Sequence, residues 1–235
     1  MSDTTDVGFE SNLWHLAKFN MFENFSRTDL EAVTSVLHLN EFKKREPIVL
    51  PTGRGRRIYF LIKGKAKLSR VDREGKELIL EILKPGEIFG QIAFPKEHYT
   101  SAMVVALGTC IVGHIHKEDF DKLMSRVPEL CLSLNKLIGD RMLKIENRLG
   151  ELLFRDVPCR LARLLLRLAD EYPDEIACGL RIDLLLTQQE VANLIGSTRE
   201  MVSMTLNRFR RNGWIDVHRR FICLHDLEMV KKLAT

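Results

Sequence analysis

A chain of 235 residues with 45% apolar residues and a net charge of +4 can form one large or two small globular domains, and its composition fits no extreme class. Its longest apolar runs, such as Leu164-Leu165-Leu166 and Ala102–Leu107, are far too short to span a bilayer, and Met1–Asp6 lacks a charged start followed by an apolar core, so a cytoplasmic protein with no membrane partner is expected. The five cysteines, Cys110, Cys131, Cys159, Cys178 and Cys223, form no close pair of the kind that opens a zinc or iron–sulfur site, and they read as reduced, mostly buried thiols.

The first half has the grain of a β domain. After short helical segments around Leu13–Ala17 and Thr28–Leu37 come extended runs at Arg57–Ile62, Ala66–Val71 and Glu77–Leu83, separated by Lys63-Gly64-Lys65 and Asp72–Lys76. Pro85-Gly86-Glu87-Ile88-Phe89-Gly90 breaks the pattern, and two further strands follow at Ala102–Leu107 and Cys110–His114. Many short strands at this spacing predict an antiparallel barrel or roll. His114 and His116 lie two apart and so face one side, which offers metal or haem ligands together with His98. With no acidic or thiol partner nearby, the pair reads as a half-exposed strand face, and no metal site is expected.

From about Pro128 the period becomes helical. Leu130, Leu134, Ile138, Met142, Ile145, Leu149 and Leu152 recur at three- and four-residue steps along one stripe, flanked by Asp140, Arg141, Lys144, Glu146 and Arg148. Some of this stripe can bury against the chain's own roll, yet a stripe this long, edged by charge, matches a two-stranded coiled-coil seam better and predicts a homodimer. Asp156-Val157-Pro158 interrupts it, and proline suits the first turn of a new helix over Cys159–Ala169, so Arg155-Asp156 reads as a hinge.

Leu186–Leu206 reads as two short helices joined by a glycine turn. Thr187 with Glu190 predicts one capping box and Ser197 with Glu200 a second, while Gly196 takes the turn. The second helix, about 197–209, would turn Arg199, Glu200, Ser203, Met204 and Asn207 outward and Val202, Leu206 and Phe209 inward, as a recognition helix entering a major groove does. Arg208, Arg210 and Arg211 then lead into Trp214–Val217, a turn His218-Arg219-Arg220 and Phe221–Leu224, a basic-tipped β-hairpin. This is the layout of a winged helix-turn-helix. Its arginines suit phosphate contacts, whereas Arg199 and Glu200 reach base edges, arginine preferring guanine and glutamate accepting from cytosine. The DNA-contacting set is Thr187, Gln188, Gln189, Ser197, Thr198, Arg199, Glu200, Ser203, Met204, Asn207, Arg219 and Arg220. No catalytic residues are expected: Ser133–Lys136 matches a serine acylase motif by letters alone, and no nucleophile, base and orienting group come together.

The sequence of a roll with Pro85–Gly90, a long helix, the Asp156-Val157 hinge and a winged helix-turn-helix resembles the CRP/FNR family of bacterial transcription regulators. The resemblance covers the whole chain. It implies an α+β protein: residues 1–127 as a cyclic-nucleotide-binding-type β-roll, 128–155 as the dimerisation helix and 156–235 as the DNA-binding domain. It also implies a homodimer on a palindromic double-stranded site and RNA polymerase as a partner through Glu171–Arg181. An effector would lie among Phe89, Gly90, Gln91, Ile92, Thr100, Ser101 and Ile145. In the cyclic-AMP-responsive branch a glutamate, an arginine-serine pair and a threonine stand where this chain has Gln91, Thr100-Ser101 and Ile145. Without that arginine a buried phosphate charge goes uncompensated, at a cost of several kcal/mol. Cyclic AMP is therefore not the expected effector. The iron–sulfur branch uses an N-terminal cysteine cluster, and no cysteine precedes Cys110, so no such cluster is expected. Another small molecule, a haem or no effector remain as readings. The alternative function is a regulatory module acting through a protein partner, which would not need so many arginines on one small domain.

Overall fold

The computed structural model describes residues 19, 22–23, 25–50, 56–90, 102–171, 173–176, 179–182, 186–218 and 221–235. They form two compact units, divided between Met142 and Leu143. No helix among the described residues is long and apolar enough to cross a membrane.

The first unit is the antiparallel roll that the strand spacing predicts. Helix α1 (Arg27–Thr34) opens on Ser26, whose hydroxyl accepts from the Asp29 N–H while the Asp29 carboxylate accepts from the Ser26 N–H. Eight strands follow: β1 (His38–Phe42), β2 (Pro47–Val49), β3 (Arg57–Lys63), β4 (Ala66–Val71), β5 (Glu77–Leu83), β6 (Ile88–Gly90), β7 (Ala102–Ala106) and β8 (Cys110–His116). They pair in two four-stranded sheets, in the orders β1-β8-β3-β6 and β2-β7-β4-β5. Alternation along each strand sends side chains to opposite faces. One core joins Ile48, Leu61, Ala66, Leu83, Phe89, Val104, Ala106, Cys110 and Val112. The opposite faces of β3 and β8 send Ile58, Phe60 and Ile115 into a second core with Phe19, Phe22 and the helices that follow. Those helices are α2 (Lys117–Arg126) and the start of α3 (Pro128–Phe154).

Helix α3 divides the apolar stripe that the sequence presents as one. Leu130 and Leu134 are buried in the roll's own core. Ile138, Met142, Ile145 and Leu149 are exposed, at 41%, 71%, 62% and 55%. Arg141 donates to the Ile88 carbonyl and ties α3 to β6.

The second unit is built around α4 (Val157–Glu171), which Asp156 caps by accepting from the Cys159 N–H at 2.9 Å. Leu161, Ala162, Leu164, Leu165, Leu168 and Ala169 are buried along it. It packs against α5 (Gln188–Ile195), α6 (Arg199–Arg211) and α7 (Leu227–Leu233). A sheet in the order β11-β12-β10-β9 completes the unit, from β9 (Pro173–Ile176), β10 (Gly179–Ile182), β11 (Ile215–Val217) and β12 (Ile222–Leu224). Cys110, Cys131 and Cys159 are free thiols as expected, but Cys223 is disulfide-bonded, which corrects the all-reduced reading. The pairing of β10 with β12, which sets Arg181 beside Cys223, had no signature in cysteine spacing.

The junction between α5 and α6 is set by three local devices. Thr187 and Glu190 form the predicted capping box at the start of α5. Gly196 is left-handed (φ 61°, ψ 50°), and the Ser197 N–H reaches back to the Ala192 carbonyl at 3.0 Å, closing α5 as a Schellman motif does. Ser197 is thereby committed to ending α5, so the expected Ser197–Glu200 capping box does not form. Thr198 caps α6 instead, accepting from the Met201 N–H at 3.3 Å. Arg148 donates to the Leu194 carbonyl at 2.8 Å, and Arg160 donates to the carbonyls of Ile195 at 2.6 Å and Gly196 at 3.2 Å.

A Cβ on Gly196 would stand 2.7 Å from Leu152 Cδ2, on top of the left-handed strain of any L-residue there. Gly196→Ala is expected to destabilise the second unit by about 1–3 kcal/mol, read as a lowered urea midpoint. Adding Leu152→Ala should return only the part due to contact.

Candidate nucleic-acid interface

Helix α6 separates its two faces cleanly. Val202, Thr205, Leu206 and Phe209 are buried against the unit. Arg199, Glu200, Met204 and Asn207 are exposed and Ser203 is half-buried, as the sequence pattern predicts. Thr205 was not on that pattern. Its hydroxyl donates to the Met201 carbonyl at 2.8 Å, which lets a polar residue sit on the apolar face. Arg199, Glu200, Ser203 and Asn207 make no side-chain hydrogen bond to any other described residue, so their polar ends are available to a ligand.

The other sequence-predicted contacts divide between structural and surface roles. Thr187 is exposed but its hydroxyl accepts from the Glu190 N–H at 3.2 Å. Gln189 donates to Asn193 Oδ1 at 2.9 Å, and Gln188 is half-buried. Thr198 is an exposed cap and Ser197 is half-buried. Each of these lies on the same helix pair as α6's exposed face, and Thr187, Gln189 and Thr198 already have local work for their polar groups.

The wing forms as read. Ile215, Asp216 and Val217 pair with Leu224, Cys223 and Ile222. The His218 N–H donates to the Phe221 carbonyl at 2.9 Å and the two rings stack at 4.3 Å, closing the hairpin tip. Arg219 and Arg220, at that tip, lie outside the described residues. Trp214 packs on Phe209 at 5.6 Å and its N–H donates to the Phe209 carbonyl at 3.1 Å, so the end of α6 fixes where the wing begins. Arg208, Arg210 and Arg211 crowd the last turn of α6, where the helix dipole favours positive charge, and all three are exposed. Arg148 figures in the sequence reading only as a charge flanking the α3 stripe, and Arg160 has no place in it. Nothing local marks them, because their role is to hold carbonyls 46 and 35 residues away.

Of the predicted effector residues, Phe89 is buried in the inter-sheet core and stacks on Tyr59 at 5.2 Å. Gly90 (φ 100°) has a backbone reason of its own, since a Cβ there would stand 2.5 Å from the Arg57 carbonyl. Ile145 is exposed on α3. Gln91, Ile92, Thr100 and Ser101 lie outside the described residues, as does His98.

Comparison with known proteins agrees with this architecture. Residues 159–233 match the Crp-like helix-turn-helix domain and residues 39–127 the cyclic nucleotide-binding domain. The CRP-like cAMP-activated global transcriptional regulator of Mycobacterium tuberculosis (strain CDC 1551 / Oshkosh) is 30% identical over 224 residues, covering 93% of this chain and 98% of that one. A CooA mutant from Carboxydothermus hydrogenoformans has a similar fold, with TM-score 0.75 and 23% identity over 94% of this chain and 98% of that chain. A CRP/FNR-family transcriptional regulator from Thermus thermophilus gives TM-score 0.68 at 25% identity, covering 84% of this chain and 98% of that chain. With both domain families matched in order, and with a relative 30% identical along nearly its whole length, the chain belongs to the CRP/FNR family of transcription regulators.

Proposed function

We propose that the chain is a homodimeric, cytoplasmic, sequence-specific DNA-binding transcription regulator that reads a palindromic site with α6. The observation that carries this is the face of α6: Arg199, Glu200, Ser203 and Asn207 turned outward and without partners among the described residues, on a helix whose other side is buried. A polar face of this kind suits direct readout, with Arg199 to guanine and Glu200 to cytosine. Met204, 66% exposed, lacks donors and suits a thymine methyl. Arg208, Arg210, Arg211, Arg219 and Arg220 supply sequence-independent attraction to phosphates.

Dimerisation is supported by the exposed half of the α3 stripe. Ile138, Met142, Ile145 and Leu149 follow steps of four, three and four residues, the spacing of a coiled-coil seam. By family resemblance, RNA polymerase would be met through residues 171–181. The Mycobacterium tuberculosis relative is named as cAMP-activated. For this chain we read an effector other than cyclic AMP, or none, because Gln91, Thr100, Ser101 and Ile145 replace the residues with which the cyclic-AMP-responsive branch holds its ligand.

Selection from a random duplex pool near physiological salt, with no effector added, should enrich a two-fold symmetric motif. Failure to enrich any motif would count against a regulator competent without ligand. On that site Arg199→Ala should cost about 1–3 kcal/mol and relax one base position per half-site, whereas Arg219→Ala should weaken specific and random duplex alike. Equal loss on both duplexes for Arg199→Ala would sink the recognition-helix assignment.

Met142→Glu places a charge in the proposed seam and should raise the dimer dissociation constant at least about tenfold. Sedimentation equilibrium reads this directly, and an unchanged dimer would remove α3 as the interface.

A further inference from the structure

Strand β8 alternates Cys110, Val112, His114 and His116 onto one face. The first two enter the core between the sheets, so the histidines stand at the end of that face, His114 half-buried and His116 exposed. The antiparallel register sets His38 of β1 directly opposite His114, where it too is exposed. The sequence offered His98 as a third histidine for this pair; the fold supplies His38. The ring centroids stand 5.4 Å apart for His38 and His114, 5.9 Å for His114 and His116, and 6.2 Å for His38 and His116.

We propose that His38, His114 and His116 form a binding site for a divalent first-row transition ion of the zinc class. Two histidines at alternate positions of one strand and a third on its neighbour bring three imidazoles to one side of a sheet, and three imidazoles are a sufficient protein donor set for such an ion. An ion held at about 2.0–2.1 Å from one nitrogen of each ring sets the ring centres about 5 to 5.5 Å apart. Two of the three present spacings are wider than this, and no trio among the described residues is already drawn onto one point. Closing the trio needs rotation of His38 and His116, which are exposed and free to turn.

The surroundings act in both directions. His114 faces Tyr59 of β3, and Arg57 of β3 pairs across from His116. Burial, then the Arg57 charge, then His38 and His116 push the His114 pKa down to about 4, and each of these disfavours positive charge at that ring. The Arg57 guanidinium opposes a dication. Asp119 of α2 stands near His38 and His116, with its carboxylate paired to Lys122 at 2.9 Å.

Metal-stripped full-length chain titrated with Co2+ should take up one ion per chain, with visible ligand-field bands and no intense sulfur charge-transfer band, and Zn2+ should displace it. His38→Ala, His114→Ala and His116→Ala should each weaken Co2+ binding at least about tenfold. Arg57→Gln should tighten it. The unloaded His38→Ala and His116→Ala variants should keep the unfolding midpoint of the parent, since both side chains are exposed. The assignment is overturned by absence of Co2+ uptake, by uptake that survives the triple variant, by dependence on His98 but not His38, by a sulfur charge-transfer band, or by loss of binding in Arg57→Gln.

Discussion

Helix α5 ends in carbonyls that have no partner inside the helix, and two arginines from other helices take them. Arg148 holds Leu194, and Arg160 holds Ile195 and Gly196. A guanidinium donating to a carbonyl is a charge-assisted bond, stronger than the neutral bonds around it, and here it fixes the last turn before α6. Because Gly196 follows at once and Thr198 opens α6 two residues later, the direction of α6 is decided within about one turn of these contacts. The same region is braced again by Arg163, which pairs with Glu151 at 3.3 Å and donates to the Ala234 carbonyl at 2.7 Å. Helices α3, α4, α5 and α7 are thus held together by polar contacts to backbone as well as by the leucines of α4.

This arrangement leaves α6 a narrow task. Its buried face and its cap are satisfied by the unit, so its exposed side chains are free of structural duty. The division of labour runs along the helix as well as around it. Arg199 and Glu200 stand at the start, and the three arginines stand at the end, where the helix dipole favours positive charge; the proposed groove and phosphate contacts divide along the same axis. Trp214 on Phe209 then carries that orientation into the wing.

The parts of the molecule legible in the sequence are those whose cause is local. The Thr187–Glu190 box, the Gly196 turn and the inward face of α6 are each written within a few residues, and each appears where it was read. The second cap failed by one residue because Ser197 can serve either helix, and the hydrogen bond to Ala192 decides for α5. Strand β1 went unread because four of its five residues are exposed, which leaves no alternation to see. With β1 unread, His38 could not be placed beside His114. Helix α2 and the four-residue strands β9 and β10 were also unread. The α3 stripe was legible as a period, but a period does not say which core it enters, and the roll takes its first two leucines. The disulfide at Cys223 and the arginine contacts depend on long-range pairing and have no local trace.

The exposed methionines of α6 have a chemical consequence of their own. Met204 and Met201 are 66% and 43% exposed, on the face and edge that would meet bases. A thioether in that position is open to peroxide, and its sulfoxide is polar, chiral and an acceptor. Oxidation of Met204 would turn an apolar contact for a methyl group into one seeking a donor, such as an exocyclic amine. If Met204 meets a base pair as proposed, the oxidation state of the surroundings can alter that contact, and a methionine sulfoxide reductase can restore it.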